Sequence, residues 1–242
     1  MPSLPLESAL GPILDWVPAR VPARAALVGA SVRLEPVDPE RHAAALYAAA
    51  HGPGHDPALW DYLGYGPFAD EAEFTGWLSA RAESADPMFH AVVDAATGEA
   101  GGMASYLRIE PADGVIEIGH IWFGAALQRS RQATEAIFLL ARHAFDDLGY
   151  RRLEWKCNAQ NARSRAAAAR FGFRYEGTFQ QHMITKGRNR DTAWFAIIDG
   201  EWPPARRGFE RWLADDNFDA TGRQRASLAT LRAAEPGGMP RA

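Results

Sequence analysis

The residues best suited to chemistry lie between Val115 and Phe173. The run Gln128-Arg129-Ser130-Arg131-Gln132-Ala133-Thr134 separates an apolar stretch ending at Phe123 from a strongly apolar helical pattern. The first turn of a helix leaves backbone N–H groups without partners, and the positive end of the helix dipole lies there. A turn of this kind can hold an anion, and Arg129 and Arg131 would add charge-assisted contacts. Taken alone, it reads equally as a solvated loop ahead of a core helix. Downstream, Asn161-Ala162-Arg163-Ser164 opens a second helix that closes on Phe171-Gly172-Phe173. The Asn161 side chain can bond an amide-rich extended ligand. Ser164 can meet a phosphate or cap its helix, and capping is the favoured reading. Glu117 lies upstream on a strand, where it is either a proton acceptor or a structural partner. Strict alternation puts His120 on the opposite face from Glu117, unless a bulge intervenes.

The elements that must position these groups follow from periodicity and punctuation. Residues 1–25 read as an extended, proline-punctuated arm. Ser31 to Val37 alternates as a strand. Asp38 and Pro39 then start a helix to about Ala50, Asp as cap and Pro at the first position. Trp60, Tyr62, Tyr65 and Phe68 fall in a Gly- and Pro-rich loop with a short helix near Pro57 to Tyr62. Asp70 caps a helix through about Glu83. Strands follow at Met88–Asp94, Glu99–Ile109 and Val115–Phe123. A helix runs from Arg131 to Leu148 with its apolar residues at 3- and 4-residue spacing. Arg151–Asn158 is a strand and Ser164–Phe171 a short helix. Arg174–Met183 and Asp191–Ile198 are strands joined by a basic loop at Lys186 to Arg190. Glu201 onward reads as a helical extension whose stripe Phe209, Trp212, Leu213 covers the domain's own sheet or meets a second subunit in a homodimer. The tail after Ala233 is predicted to be disordered. The sum is an α/β fold with a mixed sheet and helices on both faces.

Composition narrows the classes. The 242 residues are 47% hydrophobic and 23% charged, enough for a real core. A net charge of −4 gives no general reason to expect nucleic acid or an anionic membrane as partner. The one cysteine, Cys157, allows no intrachain disulfide, and a reducing cytoplasm is the simplest reading. In an apolar strand it reads as a small core residue rather than a nucleophile. The N-terminus lacks the pattern of a signal peptide, and no stretch reaches the ~18 apolar residues of a membrane span. Histidine and cysteine spacings give no metal site. A dinucleotide fold and a serine hydrolase are disfavoured by the absence of their glycine motifs.

Together the turn and the Asn-x-x-Ser…Gly-Phe helix resemble the GNAT superfamily of acyl-CoA N-acyltransferases. The pyrophosphate turn of that superfamily, Gln/Arg-x-x-Gly-x-Gly/Ala, is matched at Gln128 and Ala133, with Arg131 replacing the first glycine. Glu117-Ile118-Gly119-His120, Thr134-Glu135-Ala136, Gly172-Phe173…Glu176-Gly177 and Gly187-Arg188…Arg190-Asp191 are closer to its RimJ/RimL-like branch. The resemblance spans Ser31 to Ile198. It implies a GNAT-like domain over residues 26–200, followed by a helical extension over residues 201–242. It implies a mostly antiparallel sheet with one splayed parallel strand pair, and acetyl-CoA as co-substrate with an amine acceptor. In that layout Ile121, Trp122 and Phe123 pair with pantetheine, and Gln128 to Thr134 hold the pyrophosphate. Asn161 and Ser164 also face coenzyme A, and Glu117 serves as base. The aromatic loop then borders the acceptor pocket or packs over the sheet edge, packing being favoured for most of it. His182 and Lys186 can reach the acceptor side.

The tyrosine that many members use as general acid falls at Ala168, so Ser164, a water or an unassisted thiolate takes that role. Direct transfer in a ternary complex is expected. The competing readings are a non-catalytic acyl-CoA-binding protein and an acyltransferase that takes a longer acyl-CoA.

Overall fold

A computed structural model describes residues 13–236. One eight-stranded sheet organises them, in the order β1-β2-β3-β4-β5-β6-β8-β7. The strands are β1 (Leu27–Val28), β2 (Val32–Pro36), β3 (Met88–Asp94), β4 (Ala100–Glu110), β5 (Val115–Phe123), β6 (Arg152–Asn158), β7 (Arg174–Thr185) and β8 (Arg188–Ile198). Every neighbouring pair is antiparallel except β5 and β6. The helices are α1 (Pro39–His51), α2 (Glu71–Ala82), α3 (Arg131–Arg142), α4 (Ala162–Phe171), α5 (Trp202–Leu213) and α6 (Leu228–Ala233).

Two apolar layers sandwich the sheet. Leu34, Ile116, Ile118 and Leu153 pack with α3, α4 and α5 on one face. Phe89, Ala91, Met103 and Trp122 pack with α1 and α2 on the other. The local start signals hold. Asp38 accepts from the amide of Glu40 and Asp70 from that of Glu73, each satisfying an N–H that the first helical turn leaves free. Glu135, on the buried face of α3, takes the amides of Ala30 and Ser31 at 2.6 and 2.8 Å and the Ser31 hydroxyl at 2.5 Å. This carboxylate fastens the β1–β2 turn to the helix that follows the anion-type turn.

Several expectations are corrected. The helix after Arg131 is α-helical only to Arg142 and continues as a π turn over His143–Asp147. The basic loop at Lys186 to Arg190 is absent. β7 and β8 extend into it and meet at Lys186-Gly187, whose φ values of 49° and 71° suit a two-residue hairpin turn. Helix α4 begins at Ala162 rather than Ser164. Phe209 and Trp212 are buried against the chain's own core, Phe209 lying 5.4 Å from the ring of Phe138. The described part of the arm is extended, with the Trp16 indole donating to the Ala112 carbonyl at 2.7 Å. Residues 1–12 of the arm and 237–242 of the tail lie outside the described residues. Among the described residues no helix is long and apolar enough to cross a membrane.

Candidate active site

The site is a fork in the sheet. β5 and β6 are paired only from Val115–Arg152 to Glu117–Glu154. β5 runs on to Phe123 and β6 to Asn158, so backbone groups on their facing edges beyond the fork have no ladder partner. An extended, amide-bearing chain can occupy such a gap.

A bulge then re-aims the side chains of β5. Gly119 pairs with Ser105 and Trp122 with Met103, so Ala104 alone opposes His120 and Ile121. His120 takes a left-handed φ of 51°. Ile118 packs on the α3 face, whereas Trp122 packs on the α1–α2 face, 5.8 Å from the ring of Trp60. Strict alternation is therefore broken, and His120 shares the face of Glu117. It lies 5.0 Å from Phe89 and 5.6 Å from Tyr65, ring to ring. A second irregularity in β4 gives Arg108 a φ of 48°, held by Asp86, which accepts the Arg108 and Ile109 amides at 3.0 and 3.1 Å.

Glu117 is 1% exposed at the point where the strands part. Lys156 Nζ lies 3.0 Å from its carboxylate and Arg108 Nε 3.7 Å. Both cations stand over Trp194, at 5.2 and 5.1 Å. Burial nevertheless wins over them. It disfavours the charged form and, helped by the neighbouring Glu154, raises the Glu117 pKa to about 7. His120 moves the other way. Burial and the charges of Lys156, Arg190 and Arg81 lower its pKa to about 4, so it is neutral at physiological pH. Sequence reading missed Glu154, Lys156, Arg108 and Trp194. The one available signal was the two-residue spacing of Glu154 and Lys156, which puts both on one face of a strand.

The turn after β5 ends in a capped helix. Ser130 Oγ accepts the Ala133 amide at 3.0 Å and donates to the Leu127 carbonyl at 2.7 Å. The amides of Arg131 and Gln132 precede the first intrahelical bond and stay available. The side chains of the turn divide. Gln128 donates to the Phe123 carbonyl at 3.0 Å, and Arg129 is exposed with a φ of 58°. Arg131 is turned away toward the C-terminal elements. It bonds Asp215 at 2.8 Å and the Leu213 carbonyl, with its guanidinium 4.8 Å over Phe218. Gln132 donates to Asp94 at 3.2 Å. Ala133 and Thr134 are buried, Thr134 Oγ1 accepting from Arg170 at 3.1 Å.

Helix α4 is capped by Asn161, whose side-chain oxygen accepts the Ser164 amide at 3.0 Å. Ser164 is therefore not the cap. Its hydroxyl oxygen accepts from the Trp155 indole at 3.0 Å, and the hydroxyl also bonds the Cys157 side chain. Ala168 is fully buried. Cys157 is buried too, and burial pushes its thiol pKa up, as expected of a core residue.

On the Glu117 face the aromatic loop closes over the sheet. Trp60 and Phe68 are buried, and Lys186 reaches from the β7–β8 turn to donate to the Trp60 carbonyl at 2.7 Å. The hydroxyl of Tyr62 donates to the Gln160 carbonyl at 3.3 Å. His182 bonds the Thr192 hydroxyl at 3.0 Å and packs near Trp194. Tyr65 instead borders a cavity of about 310 Å³, with Trp77, Arg81, Phe89 and His120.

A mixed sheet whose single parallel pair opens beside a buried carboxylate, and whose strand runs into a capped helix N-terminus, is the frame of an acyl-CoA-dependent acyltransferase. Residues 31–174 match the acetyltransferase (GNAT) domain family, and the chain belongs to that family. A GCN5-related N-acetyltransferase from Brucella melitensis is 46% identical, over 90% of this chain and 98% of that one, with a TM-score of 0.87. A structure from Chromobacterium violaceum ATCC 12472, described as a GNAT-family acetyltransferase, is 45% identical over 84% of this chain and 97% of that one, with a TM-score of 0.73. A Bacillus subtilis (strain 168) protein provisionally named ribosomal N-acetyltransferase YdaF is 27% identical over 105 residues. That match covers 43% of this chain and 57% of the Bacillus protein. It agrees with the RimJ/RimL-like resemblance read from the sequence.

Proposed function

We propose that the protein transfers an acetyl group from acetyl-CoA to a primary amine by direct attack within a ternary complex. The observation that carries this reading is Glu117, a buried carboxylate with a pKa raised to about 7, at the fork where β5 and β6 part. An amine enters such a site protonated and must lose that proton before it can attack a thioester. A base with a pKa near the working pH is the most effective acceptor.

The unpaired edges of β5 and β6 suit pantetheine, with Ile121, Trp122 and Phe123 offering backbone groups. The Arg131 and Gln132 amides and the exposed Arg129 suit the pyrophosphate. Acetyl-CoA supplies the activated acetyl group and a tolerable thiolate leaving group. The amine nitrogen bonds to the acetyl carbon as the carbon–sulfur bond breaks. Glu117 holds the amine proton, and Lys156 and Arg108 stabilise the carboxylate that takes it. Ser164 or a water can pass a proton to the thiolate, the Ser164 hydroxyl being bonded to both Trp155 and Cys157. The buried Ala168 supplies no acid.

Initial rates with both substrates varied test this reading. Intersecting lines in double-reciprocal plots are expected. Parallel lines would indicate an acyl-enzyme, and coenzyme A binding without turnover on any amine would indicate a binding protein.

A further inference from the structure

The cavity on the Glu117 face has walls of a distinctive kind. Tyr65 and Trp77 lie 4.3 Å apart, Trp77 and Phe89 5.9 Å, and His120 closes the ring between Tyr65 and Phe89. Four flat rings around about 310 Å³ favour a flat ring as occupant. That volume is at the small end of ligand pockets, which run from about 300 Å³ upward, so the space suits a compact molecule.

The polar groups of the same walls can all donate a hydrogen bond. The hydroxyl of Tyr65 and the indole N–H of Trp77 are buried, and neither has a hydrogen-bond partner among the described residues. Buried donors are nearly always paired, so two beside one cavity point to an acceptor-bearing ligand. Arg81 stands at the same wall, 5.1 Å over the ring of Trp77, and forms no ion pair among the described residues. Neutral His120 adds a ring nitrogen that can donate or accept.

The two charged ends of the region are distinct. The charges acting on Glu117 are those of Lys156, Glu154 and Arg108. His120 lies three residues along β5 from Glu117 and shares its face past the bulge, and it lines the cavity together with Arg81, which places it between the fork and the Arg81 wall.

Resting on the N-acetyltransfer reading, we propose that the acceptor is a small primary amine carried on an aromatic ring, with an anionic oxygen group at the end of the ring away from the amine. The amine meets Glu117 at the fork. The ring lies in the cavity against the wall that Tyr65, Trp77, Phe89 and His120 form. The anion meets Arg81 and the donors of Tyr65 and Trp77.

A matched set of amines tests this: 4-(aminomethyl)benzoate, benzylamine without the anion, 3-aminopropanoate without the ring, and an N-terminal peptide. Coenzyme A release is followed with each. The benzoate is expected to exceed both benzylamine and 3-aminopropanoate in kcat/KM by at least about tenfold, the range of one charge-assisted contact. Arg81→Met is expected to lower that preference over benzylamine at least about tenfold, and Arg81→Lys to restore part of it. Equal rates for benzylamine and the benzoate, a preference that survives in Arg81→Met, or turnover of the peptide in place of the ring compounds would overturn the assignment while leaving N-acetyltransfer intact. Acetyl-CoA binding with no turnover on any of the four, or on a wider amine panel, would overturn the underlying reading as well.

Discussion

Replacing Glu117 with Gln should move activity and stability in opposite directions. The Glu117 pKa rises from 4.5 to about 7 on folding. The folded state therefore binds the proton more tightly than the unfolded chain does. Stability from the neutral form is full below about pH 4.5 and is lost as pH rises through about 7. A shift of about 2.5 units at about 1.36 kcal/mol per unit gives a loss of about 3 kcal/mol. The side chain is almost wholly buried, so solvent screening removes little of this. Glutamine keeps the shape without the charge. Urea denaturation of both proteins across this pH range should show nearly equal stability near pH 4.5 and a variant more stable by about 3 kcal/mol at about pH 8. Over the same range wild-type kcat/KM should climb with an apparent pKa near 7. The variant should fall about 100-fold or more and lose that limb, as expected when a general base is removed. Parallel stability curves together with an unchanged pH–rate profile would refute both the buried charge and its catalytic role.

Other substitutions test the frame. Glu135→Ala strands two amides and a hydroxyl at the β1–β2 turn and should cost about 3–5 kcal/mol, read as a lowered thermal midpoint. Ala168→Tyr places a phenol at that position but forces a ring into a fully buried site. It should cost about 1–3 kcal/mol in denaturation and give no gain in turnover. Cys157→Ala should keep kcat within about twofold and leave no acetylated enzyme for mass spectrometry to find, since the thiol is buried with its pKa raised.

What was legible in the sequence is what is decided locally. Asp38-Pro39 and Asp70 announce their helices because cap and first turn are neighbours in the chain. The apolar spacing after Arg131 shows its helix for the same reason. The turn after β5 and the two helices around it were visible in the same way. Errors begin where a local signal has two outlets. Asn161 and Ser164 are both good caps, and only the backbone geometry gives the role to Asn161. Lys186-Gly187 suffices for a hairpin, so the surrounding arginines and Asn189 become strand residues instead of loop. The rest depends on distant partners. Arg131 looks like a phosphate ligand until Asp215 and Phe218 claim it from the far end of the chain. His120 joins the face of Glu117 through a bulge that alternation alone does not reveal. The raised pKa of Glu117 depends on burial and on Glu154 arriving on the neighbouring strand, against the opposing pull of Lys156.

The most direct test of N-acetyltransfer is to count products. Purified protein is given acetyl-CoA and an amine panel at about pH 8, where Glu117 is a free base. Released coenzyme A and acetylated amine are measured together. One coenzyme A released per amine made heavier by one acetyl group, with negligible release when no amine is present, is the expected result. Acetyl-CoA that binds and is consumed at the same slow rate with or without any amine would contradict it.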